Sequence, residues 1–349
     1  MFKSKKQKIM LTVLFIIILF KGLSNINEKT ESNAVSPTEV RAAIDIGSGA
    51  TKLKVAEVNT KTHKITRIVF EDELPVAYQS SLADSPDNTF PQEIVEQGIE
   101  AIQTLKEKAN QHCAKRIAAV ATAAFRQAKN APALVDKIRK QTGIDVKVIS
   151  QKQEGVLGFN GLMAANEKAD AARSVVWDIG GGSLQLTAKD HNNEFIVYEG
   201  TMASIPFRDH IIGHIQGHTL SITKSPNPIS LEHASLAMQH AELAAFDVSP
   251  DIQQKIKENT SSIFAVGSLF QFGVKSAVGN KVITQESLHN TIHSLIGQDD
   301  KQLGGQFADV KLSNLILVLG MMKKLDIKEL TIEPVNNADG ILIDSSYDS

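Results

Sequence analysis

The chain has 349 residues, of which 42% are hydrophobic and 22% charged, and its formal net charge is −2. That length accommodates two globular domains with ordinary cores, and the charge balance excludes a disordered or strongly basic protein. With a single cysteine, Cys113, an internal disulfide is excluded as well.

The chain opens on a basic stretch, "MFKSKKQK", followed by the uncharged apolar run Ile9 to Phe20. Those 12 residues fall short of the roughly 20 needed to span a bilayer and suit the core of a secretory signal. Gly22 and Ser24 supply small residues for a cleavage site, while Lys21 directly after the core leaves an uncleaved anchor open. Residues 1–24 are therefore read as a signal peptide or N-terminal anchor. The expected location is periplasmic or extracellular, with membrane contact only through this segment. Its removal takes away five lysines and no acids, which leaves a charge of −7. No basic run survives, so nucleic acid is not an expected partner.

Residues 25–40 are polar and aperiodic and read as a linker. From Arg41, "RAAIDI", "TKLKVAEV" and "KITRIVF" predict three consecutive strands. "PQEIVEQGIEAIQTLKEKA" places Ile94, Val95, Ile99, Ile102 and Leu105 on one helical stripe, with Pro91 at its start. A strand at "RIAAVAT", a helix at "APALVDKIRKQTG" closed by Gly143, a strand at "DVKVIS" and a helix from about Gln153 follow. This alternation predicts a largely parallel sheet covered by helices. The scheme then restarts with strands at "SVVWDI", "SLQLTA" and "EFIVYEG", and the rest reads as mostly helical after Arg208, ending near "ELTIEP".

The restart is an internal repeat. "AAIDIGSGATKLKVAEV" and "VVWDIGGGSLQLTA" share an apolar run, Asp–Ile–Gly, small residues and a strand, with Asp45 and Asp178 as matching acids. Two such halves predict an α/β, actin-like (ribonuclease H-like) duplicated fold with a cleft between two lobes. Lobe I is expected over 41–165 and lobe II over 166–349, with the last segment free to return to lobe I.

A glycine turn after a buried strand presents consecutive backbone N–H groups, and such a nest binds an oxyanion. Gly180, Gly181 and Gly182 allow close approach of a phosphate, and Ser183 adds a hydroxyl. Gly47 and Ser48 can act alike from the first lobe. Asp45 and Asp178, at strand ends, suit Mg²⁺, which favours hard oxygen ligands. The plainer alternative is a pair of tight hairpins whose glycines serve backbone geometry alone.

Four segments, "AIDIGSGATKLKVAEV", "AVATAAFRQAKN", "VISQKQEGVLGFNGL" and "VVWDIGGGSLQL", resemble in order and spacing the exopolyphosphatase / guanosine pentaphosphate phosphohydrolase (Ppx/GppA) family. The similarity runs from about Arg41 to Ile343 and is strongest up to Ala188. What it implies is Mg²⁺-assisted, in-line attack of water on the terminal phosphate of polyphosphate or a related phosphoanhydride. It also implies phosphate contacts at Gly47, Ser48, Gly181, Gly182 and Ser183, an arginine near the phosphate path at Arg126, and a base for the attacking water at Glu154. A family-like homodimer is compatible with the sequence.

Several positions depart from the family. Its second glutamate falls on Gln185, after Leu184; glutamine can orient water but cannot take up a proton. Lys52 replaces an arginine, keeping a charge for phosphate while losing the planar fork. Of a third glycine loop, "AVGSLFQFG" retains Gly267 and Ser268, and "NNADG" puts Ala338 where an arginine is expected. These losses argue against a long basic channel. They keep two other readings open: a weakly active or inactive relative that binds phosphate or polyphosphate as a sensor or scaffold, and, less favoured, a sugar or nucleotide kinase. Outside the family pattern, "DHIIGHIQGH" spaces His210, His214 and His218 by four, which on a regular helix stacks them on one face; surface histidines are the expectation.

Overall fold

The computed structural model describes residues 37–258 and 262–347. The first repeat unit folds as a hairpin of β1 (Thr38–Ile46) and β2 (Ala50–Asn59), extended by the long β3 (Lys64–Pro75). β1 starts three residues ahead of the predicted "RAAIDI". The alternation of the following sequence then adds β4 (Arg116–Ala121) and β5 (Val146–Val148), each parallel to its neighbour on the β1 side. The strand order is β3-β2-β1-β4-β5. The second unit repeats it with β6 (Ser174–Ile179), β7 (Leu184–Lys189), β8 (Phe195–Gly200), β9 (Ser262–Val266) and β11 (Glu329–Ile332), while β10 (Val282–Thr284) joins antiparallel at the edge. The resulting order, β10-β11-β9-β6-β7-β8, contains the first sheet's pattern, so the duplicated actin-like fold is present.

Helices fill the connections. In the first lobe they are α1 (Tyr78–Ala83), α2 (Gln92–Gln111), α3 (Ala123–Gln127), α4 (Ala131–Thr142) and α5 (Gln151–Ala165). The predicted stripe of α2 is buried at Ile94, Val95, Ile102 and Leu105 and half-buried at Ile99, packed on Tyr78, Phe90 and Phe125. α4 ends where Gly143 adopts the left-handed conformation at φ 70°. α5 starts at Gln151, because Ser150 and Gln153 close a reciprocal capping box.

The second half of the chain carries α6 (Ser204–His210), α7 (Leu231–Ala244), α8 (Pro250–Lys257), α9 (Lys275–Val278), α10 (Gln285–Leu295), α11 (Asp300–Leu303), α12 (Ala308–Lys324) and α13 (Asn337–Ile343). α12 is buried on nearly every side, which explains its run of apolar residues from Leu315 to Met322. With Trp177, Phe207 and Phe270 it forms the lobe's core. No helix among the described residues is long and apolar enough to cross a membrane; the predicted signal or anchor segment, 1–24, lies outside them.

Two helices join the halves. α5 sends Phe159 and Leu162 toward Val176, Val266 and Val335, and Leu157 toward Ala43, Val58 and Val120 of the first sheet. α13 packs on that same first-sheet cluster through Ala338, Ile341 and Leu342, so the C-terminal segment returns to lobe I. The α5–α13 crossing needs a glycine, because a Cβ at Gly340 would stand 2.2 Å from the Leu157 carbonyl oxygen. Lys54 of β2, itself buried, fastens α13 with its Nζ 2.8 Å from both carboxylate oxygens of Asp339. Ala338, the position of the missing family arginine, is fully buried in this apolar cluster.

The three-histidine series survives folding only in part. Residues Ile211–Ile215 form a π-helix. His210 lies flat on His240 of α7, with ring centroids 3.4 Å apart, and keeps His214 as a neighbour with ring centroids 4.9 Å apart. His218 lies beyond the helix and is exposed.

Candidate active site

Each repeat turn is anchored in the same way. In lobe I, Gly47 N–H donates to Ala50 O at 2.9 Å, and the Ser48 carbonyl accepts from Gln79 N of α1 at 2.8 Å. In lobe II, Gly180 N–H donates to Ser183 O at 2.8 Å, and the Gly180 and Gly181 carbonyls accept from Ser204 N and Ile205 N of α6. The turn carbonyls are thus turned away into the short helices. Among the described residues no hydrogen bond takes the N–H groups of Ser48, Gly49, Gly181 or Gly182. The two turns also meet: a Cβ at Gly181 would stand 2.7 Å from Ser48 Cβ, so only glycine permits this approach.

Between them opens a cleft of about 280 Å³. Of the predicted residues, Asp45, Gly47, Ser48, Lys52, Glu154, Asp178, Gly180, Gly181 and Ser183 line it together. Gly182, Arg126 and Gln185 stand behind the lining. At Gly182 a Cβ would meet Gln79 Oε1 at 2.4 Å, so this residue serves the contact between turn and α1. Arg126 reaches across from α3: Nη1 donates to Ile149 O at 3.0 Å and Nη2 to Ser183 Oγ at 3.2 Å. The same Nη1 lies 2.9 Å from Glu154 Oε2. Since no hydrogen bond is aligned on that oxygen, the pair is held by charge. Gln185 is buried on β7 directly opposite Asp178, and its amide donates to Ser183 Oγ.

Three carboxylates share this low-dielectric space. Burial pushes Glu154 up to about 7; Arg126 opposes the shift, while Asp178 and Asp45 add to it. Burial likewise pushes Asp178 up to about 7, with Lys52 opposing and Asp45 adding. Asp45 is raised by burial against Lys52 and a hydrogen bond from Asn337, and its Oδ1 has no hydrogen-bond partner. At Gly267 a φ of 87° brings the third glycine loop against the site, where a Cβ would fall 2.3 Å from Asp178 Oδ1. Among the described residues no group of three or more His, Cys, Asp or Glu side chains is arranged to hold a metal ion. Mg²⁺ asks for less, because it commonly binds one or two carboxylates and completes its shell with water and phosphate. The hard oxygens of Asp45 and Asp178, with one orphaned atom, fit that demand.

Other lining residues went unrecognised in the sequence. Asn337 and Asn314 are buried, line the cleft, and each leaves its Oδ1 unpartnered, as does Gln79 at Oε1. For Asn337 a signal existed, since "NNADG" reads as an Asn-capped helix start; Asn336 does cap α13, accepting from Ala338 N at 2.9 Å. Asn314 lies mid-helix in α12, where no local pattern separates it from a tolerated core amide. The wall beyond the turns is formed by Ser268, Leu269, Phe307 and Asp309 of lobe II.

Two duplicated sheets with facing glycine turns over a carboxylate-lined cleft define an actin-like, two-lobed α/β protein. Residues 55–198 match the model of the Ppx/GppA phosphatase family, so the chain carries a domain of that type over this span. The fold agrees over most of the chain. The crystal structure of the Ppx/GppA family member from Aquifex aeolicus is 18% identical, covering 88% of this chain and 97% of that one, with a TM-score of 0.68. An exopolyphosphatase from Cytophaga hutchinsonii is 15% identical, covering 87% and 96%, with a TM-score of 0.67. At these identities the likeness is one of fold. A curated relative, the bifunctional 3-dehydroquinate synthase/phosphatase of Fusobacterium nucleatum, is 28% identical over 153 residues. That match takes in 42% of this chain and only 23% of the relative's length.

Proposed function

We propose that this protein is an exported phosphohydrolase that releases terminal phosphate from inorganic polyphosphate or a related phosphoanhydride. The observation that carries the reading is the pair of facing glycine turns, which approach each other at Ser48 and Gly181 and bring the unpaired N–H groups of Ser48, Gly49 and Gly181 to the lining of the cleft that also holds Glu154. Phosphoryl transfer needs mostly positioning and charge neutralisation, and the turns with Lys52 supply donors and a cation for the phosphate oxygens. Asp45 and Asp178 are the residues to hold Mg²⁺, which when bound neutralises charge on the transferring group. Glu154 takes the proton of the attacking water; a carboxylate raised to about 7 is matched to that work near neutral pH. Arg126 holds its side chain from behind.

Export rests on the N-terminal segment, as a signal peptide or as an anchor to the inner membrane. Outside the cytoplasm, polyphosphate is a more available substrate than a cytoplasmic nucleotide. Residues 25–349 with Mg²⁺ and medium-chain polyphosphate should release orthophosphate, and Glu154→Ala should abolish release. The neutral Gln185 in place of the family's second glutamate supports a second reading, a phosphate- or polyphosphate-binding sensor. Binding without release, across chain lengths and metals, would favour it.

A further inference from the structure

Ser183 is the residue through which the buried side of the site acts on the cleft. A hydroxyl has one hydrogen to give and two lone-pair sites to fill. Arg126 Nη2 donates to Ser183 Oγ at 3.2 Å, and Gln185 Nε2 donates to it at 3.2 Å. Both donors come from behind the lining, and Ser183 itself lines the cleft. Among the described residues no acceptor takes its hydrogen. With both acceptor sites occupied, the O–H is left to point into the cleft.

We propose that Gln185 is a positioning residue, whose amide fixes the Ser183 hydroxyl as an outward donor to a phosphoryl oxygen in the cleft. The proposal rests on the phosphate reading above. A carboxylate at this position can only accept, so the Ser183 hydrogen would turn back toward it and away from the ligand. It would also add a fourth acid to a buried site that already holds Asp45, Asp178 and Glu154, directly across the β6–β7 ladder from Asp178. Gln185 therefore trades a second acid for a neutral donor that commits Ser183 to the ligand.

The test is a double-mutant cycle on binding of orthophosphate and of non-hydrolysable imidodiphosphate, read by calorimetry on residues 25–349. Ser183→Ala should weaken binding about tenfold, the scale of one hydrogen bond to a charged group. Gln185→Met, which keeps length and removes the donor, should weaken it about threefold in the wild type and not at all in the Ser183→Ala background. Gln185→Glu, isosteric with the native side chain, carries the same comparison should the methionine variant fail to fold; part of its loss should disappear once Ser183 is alanine. A structural role for Gln185 would move both backgrounds alike, and that result, or wild-type binding by both Gln185 variants, overturns the proposal while the phosphate reading stands. If the folded wild type binds neither probe, the phosphate reading fails and the proposal falls with it.

Discussion

Glu154 carries a cost in stability that its removal should expose. Burial raises its carboxyl from the usual 4.5 to about 7, so the folded protein holds this proton more tightly than the unfolded chain does. Between those values the folded state binds more protons, and stability must fall as pH rises from about 4.5 through about 7. The gap corresponds to roughly 3 kcal/mol lost above neutrality. Glu154→Gln cannot ionise and escapes that loss, while its amide oxygen can still face Arg126. The variant should therefore melt within a degree or two of wild type at pH 5. At pH 8.5 it should melt higher by on the order of 5 °C, while losing orthophosphate release. Thermal melts of both proteins at the two pH values, with phosphate assays on the same preparations, make the measurement. An unchanged difference between pH 5 and 8.5, or a less stable variant at 8.5, would refute the argument that Glu154 is a buried, charge-disfavoured base.

Three further changes read other parts of the structure. Gly267→Ala sets a Cβ 2.3 Å from Asp178 Oδ1 at a backbone φ of 87°, so it should displace that carboxylate; we expect about 1–3 kcal/mol lost in denaturant melts and loss of phosphate release. Lys54→Met leaves Asp339 buried without its cation and should cost about 3–5 kcal/mol at pH 8. That deficit should shrink as pH falls, because burial already raises Asp339 and loss of Lys54 removes the charge that opposes the rise, and adding Asp339→Leu should restore most of the stability. His210 is pushed down to about 4, first by burial and then by His240 and His214, so it contributes stability that is lost as pH falls from 6.5 toward 4. His210→Phe should flatten the acid limb of a pH–melting profile over that window, while leaving melts at pH 8 nearly unchanged.

The repeat "DIG–small–strand" made the fold legible, because an Asp at the end of a buried strand before consecutive small residues admits few local structures. The duplicated strand order and the cleft follow from it. The early strands of lobe II were legible for the same reason, but β9 and β10 were not. Each is short and lies between helices, and β9 is identified by its parallel pairing with β6, a contact remote in sequence. Within the site, Gly47, Ser48, Gly180, Gly181 and Ser183 come together because a turn is a local structure. The place of a side chain that reaches across elements was not legible in the same way. The resemblance places Arg126 near the phosphate path, and in the structure its guanidinium donates to the Ile149 carbonyl and Ser183 Oγ, acceptors that only the folded arrangement of α3, β5 and the lobe II turn brings together. The histidines illustrate the opposite case, where a regular spacing in sequence met an irregular helix.

Charge along the cleft bears on how a phosphate chain would be handled. Among the described lining residues Lys52 is the one Lys or Arg, set against Asp45, Asp178, Glu154, Glu73 and Asp309. Arg126 lies behind, and Ala338 is packed into an apolar cluster, so neither extends the positive field toward the mouth. The donors are concentrated at the two turns, and the wall beyond them offers Leu269, Phe307 and an acid. A polyanion with many phosphates would meet favourable contacts over its terminal units only, and the rest of its charge would remain in solvent. Such an end should dissociate after each cleavage instead of being drawn through the cleft. Partial digestion of a long polyphosphate should then yield a descending ladder of intermediate lengths on a gel, with an initial rate that follows the concentration of chain ends. Full-length chain and orthophosphate alone at half digestion would require a gripping surface that these residues do not provide.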